Sequence, residues 1–488
     1  MAVSNRNIRK DIQTKSLGLN YLLNTSRTVL NFLIPLIIFP YASRVLGPEG
    51  LGKVEFANSI VSYFILFTAL GIPTYGMREI ARIRDDEHLR SKTVQELALI
   101  LTITVLFGYI IFFLLIRFIP HFYEQRILFF IVAPTIFLSD FSFEWFYQGI
   151  ENQTYITIRY IITKVIQTIC IFLFIKQENH FYRYAAILVG MNSIATIFNL
   201  IHLRNFIRFV PIRETRPFRH FKQIVIIFAS IVAVNIYMHL DVTMVGFIVG
   251  EEYVGLYTAA NRLVRIIISL ATALSAVIIP RLENCLKKGD EESYKKYLNI
   301  SLHYILMIAI PCFLGVQALA NDIILIFAGT KYLSSIKTIR ILSPIIFIVP
   351  LAYFTGLQIL YPRRMEWKYT LAVSIAAVIN ALCNALLIRY FEQNGAAIGT
   401  LIAEGLGLLI QFIFARHYIR DTDLFSLNTA KYFIAGIIMF LSIIFIPSGK
   451  NLVLHCFSCI AIAILIYFVS LLAMQEETIT NIMKRGRK

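Results

Sequence analysis

The sequence predicts an all-α integral membrane protein with about fourteen transmembrane helices, arranged as two pseudo-symmetric six-helix lobes plus two extra C-terminal helices. Three observations predict it. Of 488 residues, 58% are hydrophobic and 15% charged, where a soluble domain carries about 25% charged residues. Apolar runs long enough to cross roughly 30 Å of hydrocarbon recur along the whole chain. One loop sequence is also present twice at a constant spacing. The composition excludes a cytosolic enzyme and a disordered chain. The net charge of +17 does not point to nucleic acid, because the 46 basic residues are scattered between apolar runs.

The expected spans are 17–41, 54–73, 94–118, 127–149, 155–175, 183–206, 223–249, 255–279, 298–320, 338–361, 369–390, 395–416, 429–447 and 451–474. The least clear are 127–149, which carries Asp140 and Glu144, and 255–279, which carries Arg262 and Arg265. Charge supports the count. With the N-terminus inside, the inner segments hold roughly three times the Lys and Arg of the outer loops, with Arg27, Arg262 and Arg265 counted inside spans. Both termini are then expected to be cytoplasmic, and the chain is expected to be almost all membrane. Connecting loops of about 20 residues or fewer leave no room for a soluble catalytic domain. The segment Met1–Ser16 is polar and basic, lacks a small-residue cleavage site and reads as no removable signal peptide.

The six cysteines form no disulfide or zinc framework, and Cys456-x-x-Cys459 sits along a hydrophobic helix rather than in a redox setting. No cofactor, metal site, Gly-rich phosphate loop or Ser-His-Asp arrangement is expected. Arg84–Glu87 and Asp421–Asp423 read as solvated caps.

The duplicated loop organises the rest. Leu46–Val61 aligns with Val249–Val264 at an offset of 203, with Gly47/Gly250, Glu49/Glu252, Gly52/Gly255, Ala57/Ala260, Asn58/Asn261 and Val61/Val264 identical. The copies bridge spans 1–2 and 7–8, so they share one orientation, as in a parallel repeat about an axis along the membrane normal. The expected lobes are residues 1–210 and 223–420, joined by a cytoplasmic linker at 211–222, with two additional helices and a basic tail at 421–488. Two such lobes suggest a substrate path at their interface and alternating access, which makes a transporter the leading class.

Charged side chains at membrane depth cost about 2.5–3.5 kcal/mol on insertion scales and should face protein or water. Asn20, Asn24, Arg27 and Asn31 form one helical stripe in span 1; Arg262, Arg265, Ser269 and Thr272, with Asn261 beside them, form another in span 8. Asp140, Glu144 and Gln148 recur every four residues in span 4; Asn235, His239 and Asp241 lie in span 7, and Glu404 in span 12. Arg27, Arg262 and Arg265 are expected to hold an anionic substrate group by forked hydrogen bonds, with Asn24, Asn31, Asn58 and Asn261 nearby. The competing reading is interhelical pairing, such as Arg27 with Asp140 or Glu144. Asp140, Glu144, Asp241 and Glu404 are candidates either for a coupling ion or for structural neutralisation.

Several motifs carry a family likeness. Ser43–Gly52 (SRVLGPEGLG), Gly71–Arg82 (GIPTYGMREIAR), Phe143–Ile150 (FEWFYQGI), Asp241–Gly246 (DVTMVG), Tyr253–Leu263 (YVGLYTAANRL) and Pro280–Leu282 together resemble polysaccharide repeat-unit flippases of the O-antigen and capsule type. These belong to the multidrug/oligosaccharidyl-lipid/polysaccharide exporter superfamily. The resemblance spans helices 1 to 12. It implies a V-shaped two-lobed bundle that moves undecaprenyl-diphosphate-linked oligosaccharide to the outer leaflet of a bacterial plasma membrane, with a cationic cavity for the diphosphate and the lipid tail in a groove between helices. It implies membrane lipid, a polysaccharide polymerase and a chain-length regulator as partners. A peptidoglycan-precursor flippase and an ion-coupled multidrug exporter are the alternatives within the superfamily. A polymerase or ligase ranks after them, for want of a large outer loop.

Overall fold

The computed structural model describes residues 17–420, 422–447 and 451–476. The N-terminal segment 1–16, Asp421 and the tail 477–488 lie outside the described residues, as do the side chains of Asn20, Asn24 and Asn31. The described residues are helical, with no strand among them. In order come α1 (Leu17–Ala69), α2 (Ile72–Arg82), α3 (Glu87–Phe118), α4 (Pro120–Glu124), α5 (Arg126–Val132), α6 (Pro134–Asp140), α7 (Glu144–Gly149), α8 (Gln153–Phe174) and α9 (Phe181–Leu203). They continue with α10 (Phe221–Val249), α11 (Glu251–Thr272), α12 (Ser275–Lys288), α13 (Glu291–Phe327), α14 (Ser335–Leu342), α15 (Ile345–Tyr353), α16 (Glu366–Phe391), α17 (Gln393–Ile419), α18 (Leu427–Ile444) and α19 (Leu452–Ala473).

Among the described residues, twelve helical segments are long and apolar enough to cross a bilayer, or thirteen when Leu33–Ala69 and Ile72–Arg82, bent by 42°, count as one. Those twelve correspond to the expected spans from 94–118 onward, while the expected spans 17–41 and 54–73 fall mainly in α1, which joins two helices across a kink. That element is broken only at Gly47, where φ is 68° and ψ 176°. The span at 127–149 is not one helix but α5, α6 and α7, and the span at 255–279 is interrupted between Thr272 and Ser275. Exposed apolar surface is plain on α3, where Ile103, Leu106, Phe107, Ile110 and Leu114 recur at helical spacing. Asp86 caps α3 by accepting from the Leu89 N–H at 2.9 Å, the role read for that acidic cluster.

The chain forms two compact units: Met1–Val45 with Ala57–His239, and Leu46–Phe56 with Leu240–Lys488. The first has a core of Ile72, Tyr75, Ile80, Leu97, Trp145, Phe146 and Tyr147. The second centres on Leu302, Ile305, Leu306, Phe354 and Ile359, and α18 and α19 join it through Tyr432, Met439, Tyr467 and Leu471.

The repeat shows in the backbone. Gly250 breaks the chain at φ 101° and ψ 171°, nearly as Gly47 does, so both copies turn at a residue type that tolerates positive φ. Within the second unit the equivalent glycines also allow the two copies to touch. A Cβ on Gly52 would lie 1.7 Å from the Glu251 carbonyl oxygen, and one on Gly255 would lie 2.0 Å from that of Pro48. Backbone cannot yield as a side-chain tip can. Gly52→Ala should therefore cost about 3 kcal/mol, read as a lower unfolding temperature and lower yield of monodisperse protein; an unchanged melting curve would refute this packing.

Candidate functional site

In the first unit, chain geometry rather than a regular stripe gathers the charges. Phe143, with φ of 49°, separates α6 from α7, so Asp140 ends one helix and Glu144 begins the next. The four-residue face expected for Asp140, Glu144 and Gln148 therefore does not exist, because the helix it needs is interrupted. The break sets Glu144 between two guanidiniums. Its Oε2 accepts from Arg27 Nη2 at 2.6 Å, and its Oε1 accepts from Arg159 Nη2. Arg159 also donates to the Ala195 carbonyl at 3.1 Å. Arg27 lies over the Tyr160 ring at 5.5 Å, and Lys164 Nζ lies 5.9 Å from the same ring while donating to Gln167 at 2.8 Å. Arg27 on α1 and Arg159 on α8 thus share one carboxylate, with Lys164 against the same tyrosine ring as Arg27.

Arg159 and Lys164 are the residues that sequence reasoning missed. Arg159 is the seventh residue of α8 and Lys164 the twelfth. Their spacing from Glu144 crosses a turn, so no periodicity connects them. A check of every cation against the expected span 155–175 would have found both.

In the second unit each of the expected arginines lies beside a carboxylate. Arg262 Nη2 donates to Glu55 at 2.8 Å, and Arg265 Nη2 lies 4.0 Å from Glu404. These side chains keep 28% and 29% of their surface exposed, so they are not fully enclosed by protein. Ser269 and Thr272 spend their hydroxyls on their own helix, at the Ile266 and Ile268 carbonyls, and add nothing to the stripe. Asn58 contributes its backbone carbonyl to Ser62, while the buried Asn261 Oδ1 has no hydrogen-bond partner. Asn24 and Asn31 cannot be placed, since their side chains are outside the described residues.

Asp241 sits in a different setting. It is buried on α10, and its carboxylate receives only neutral donors: Tyr257 Oη at 2.5 Å and Thr400 Oγ1 at 2.8 Å on one oxygen, Asn380 Nδ2 at 3.0 Å and Asn384 Nδ2 at 2.8 Å on the other. The buried Asn384 Oδ1 accepts from no group. Hydroxyl and amide N–H donors from α11, α16 and α17 therefore converge on the α10 carboxylate. Asp140 is likewise buried, with Oδ2 lacking a hydrogen-bond partner.

Residues 17–285, more than half of the chain, match the family described as polysaccharide biosynthesis protein. The chain belongs to that family. This polysaccharide biosynthesis protein is also similar to a protein of Escherichia coli (strain K12) named as an O-antigen transporter, 23% identical over 390 residues, which cover 79% of this chain and 94% of the relative. Among solved structures, the lipid II flippase MurJ in its inward closed conformation matches 94% of this chain and 99% of its own length with a TM-score of 0.75 at 15% identity. A MATE-family multidrug resistance transporter, inward-facing, matches 83% of this chain and 99% of its own length with a TM-score of 0.63 at 15% identity. These likenesses show a shared multi-span helical fold.

Proposed function

We propose that this polysaccharide biosynthesis protein is a flippase, not an enzyme. It carries undecaprenyl-diphosphate-linked oligosaccharide repeat units from the inner to the outer leaflet of the bacterial plasma membrane by alternating access. The observation that carries the reading is the Arg27–Arg159–Lys164 cluster on spanning helices, with Glu144 as its one carboxylate. A diphosphate brings about two negative charges, the surplus that this cluster holds. Guanidinium binds phosphate oxygens in a fork, and Glu144 keeps the forks oriented without neutralising the site. The sugars and diphosphate would lose their water in bare hydrocarbon, and a polar path replaces it. If two negative charges move outward, an inside-negative potential assists by about 2.3 kcal/mol per charge per 100 mV. The family description and the O-antigen name of the E. coli relative support the same substrate class.

In this reading Arg262 and Arg265, each leaning on a carboxylate, take the anion in exchange for part of that pairing, with Asn261 next to Arg262 on α11; Asn58 is a further candidate for the substrate. Asp241 and its four donors form the site for a coupling cation, a proton or sodium, with Asp140 a second candidate. Glu144 and Glu404 anchor arginines. Translocated units then pass to a polymerase and its chain-length regulator.

Two experiments test this. Deleting the gene should cause a lipid-linked saccharide to accumulate on the inner leaflet; accumulation of peptidoglycan precursor instead would make the MurJ-like reading the correct one. The expected topology has cytoplasmic termini. A Glu251→Cys variant should gain labelling by an impermeant thiol reagent added outside, and a Lys287→Cys variant should not; the reverse pattern would invert the topology.

A further inference from the structure

The segment between α9 and α10 is fastened along the start of α3. Arg90 Nη2 donates to the Phe206 carbonyl at 2.8 Å, Gln95 Nε2 to the Arg208 carbonyl at 2.8 Å, and the Arg208 N–H to Ser91 Oγ at 2.9 Å. Further along, the fully buried Glu96 accepts from the Arg216 N–H at 2.6 Å and from Arg219 Nε at 2.9 Å, and pairs with His220 Nε2 at 2.8 Å. His220 in turn bonds Tyr75 Oη at 2.6 Å. Burying Glu96 this way requires all its oxygen valences to be met, and the strap meets them. The strap is therefore held at a fixed level, where α3 begins, α9 ends and α10 begins. Three spans share that boundary, so it marks the edge of the hydrocarbon.

Held there, the strap presents what a folded protein normally hides. Phe209, Ile212 and Phe218 are 81%, 68% and 77% exposed. Arg213 and Arg216 stand between them and Arg204 just before, all three exposed and without a carboxylate partner among the described residues; residues 204–222 hold six basic side chains against the single acidic Glu214. Large apolar side chains interleaved with arginine at a membrane edge match the headgroup region, where rings enter the acyl boundary and guanidiniums meet phosphate. The charge decides the occupant: a zwitterionic surface offers no net attraction, an anionic one does.

We propose that residues 204–222 are an interfacial strap that binds anionic phospholipid headgroups, with Phe209, Ile212 and Phe218 seated in the bilayer and Arg204, Arg213 and Arg216 on lipid phosphates. The test uses the full chain in nanodiscs of phosphatidylcholine alone or of phosphatidylcholine with phosphatidylglycerol. Trypsin cleavage after Arg204 and Arg213, followed by mass spectrometry, should be about tenfold slower with phosphatidylglycerol. Equal rates in both discs would mean that protein contacts alone hold the strap, and would overturn the proposal. An Arg204→Gln/Arg213→Gln/Arg216→Gln variant should co-purify with severalfold less phosphatidylglycerol than wild type; unchanged lipid retention would also overturn it. If that variant does not fold, the protease comparison on the wild-type chain still decides.

Discussion

Arg27→Ala should abolish surface polysaccharide while the protein stays in the membrane at its normal level. The guanidinium is 18% exposed, with one arm on Glu144 and its face on Tyr160, which leaves donors for a ligand. Its removal does not strand the carboxylate, because Arg159 still holds Glu144, so folding is spared. What is lost is charge-assisted hydrogen bonding to the diphosphate, about 3 kcal/mol if two such bonds go, or about a hundredfold in transport. Arg27→Lys keeps the charge without the fork and should retain partial function. Arg159→Ala should behave differently. That side chain is only 6% exposed and ties Glu144 to the Ala195 carbonyl, so its loss should also lower the amount of protein. Quantifying surface polysaccharide beside an immunoblot separates the two, and undiminished polysaccharide in Arg27→Ala would remove the cluster from the mechanism.

The contrast between these arginines also shows what could be read in advance. Helical stripes made Arg27, Arg262 and Arg265 visible, because 3.6-residue periodicity survives in unbroken helices such as α11. The same logic failed in span 4. Nothing among Phe141, Ser142 and Phe143 announces a break, since neither glycine nor proline is present, and tertiary packing there outweighs local preference. The loop duplication was legible because the positive φ at Gly47 and Gly250 and the close approach at Gly52 and Gly255 demand glycine, and that demand is written in residue type. The Asp241 cluster was half legible. Asn380 and Asn384, four apart in an apolar run, are a polar stripe that could have been noticed, whereas Tyr257 and Thr400 look like ordinary span residues until α11 and α17 pack against α10. Long-range assembly, not local pattern, creates that site.

That assembly sets up the second large effect. Asp241→Asn should cut transport about tenfold or more and should make what remains insensitive to sodium and to pH. The native carboxylate accepts from Tyr257, Thr400, Asn380 and Asn384. An asparagine offers one acceptor oxygen and turns an NH2 toward groups that are themselves donors, so at least one buried donor loses its partner at about 1–3 kcal/mol. Stability therefore falls somewhat on any account, and a thermal shift alone does not discriminate. Ion dependence does. If Asp241 merely fixes packing, the residual transport of Asp241→Asn keeps the wild-type response to the cation; if it binds the coupling ion, that response disappears along with the charge. Thr400→Val supplies the intermediate case, removing one donor and one oxygen while leaving the carboxylate, so its cation dependence should weaken without vanishing. A wild-type sodium and pH response retained in Asp241→Asn would reduce this four-helix convergence to a structural knot and leave the membrane potential to drive the cycle alone.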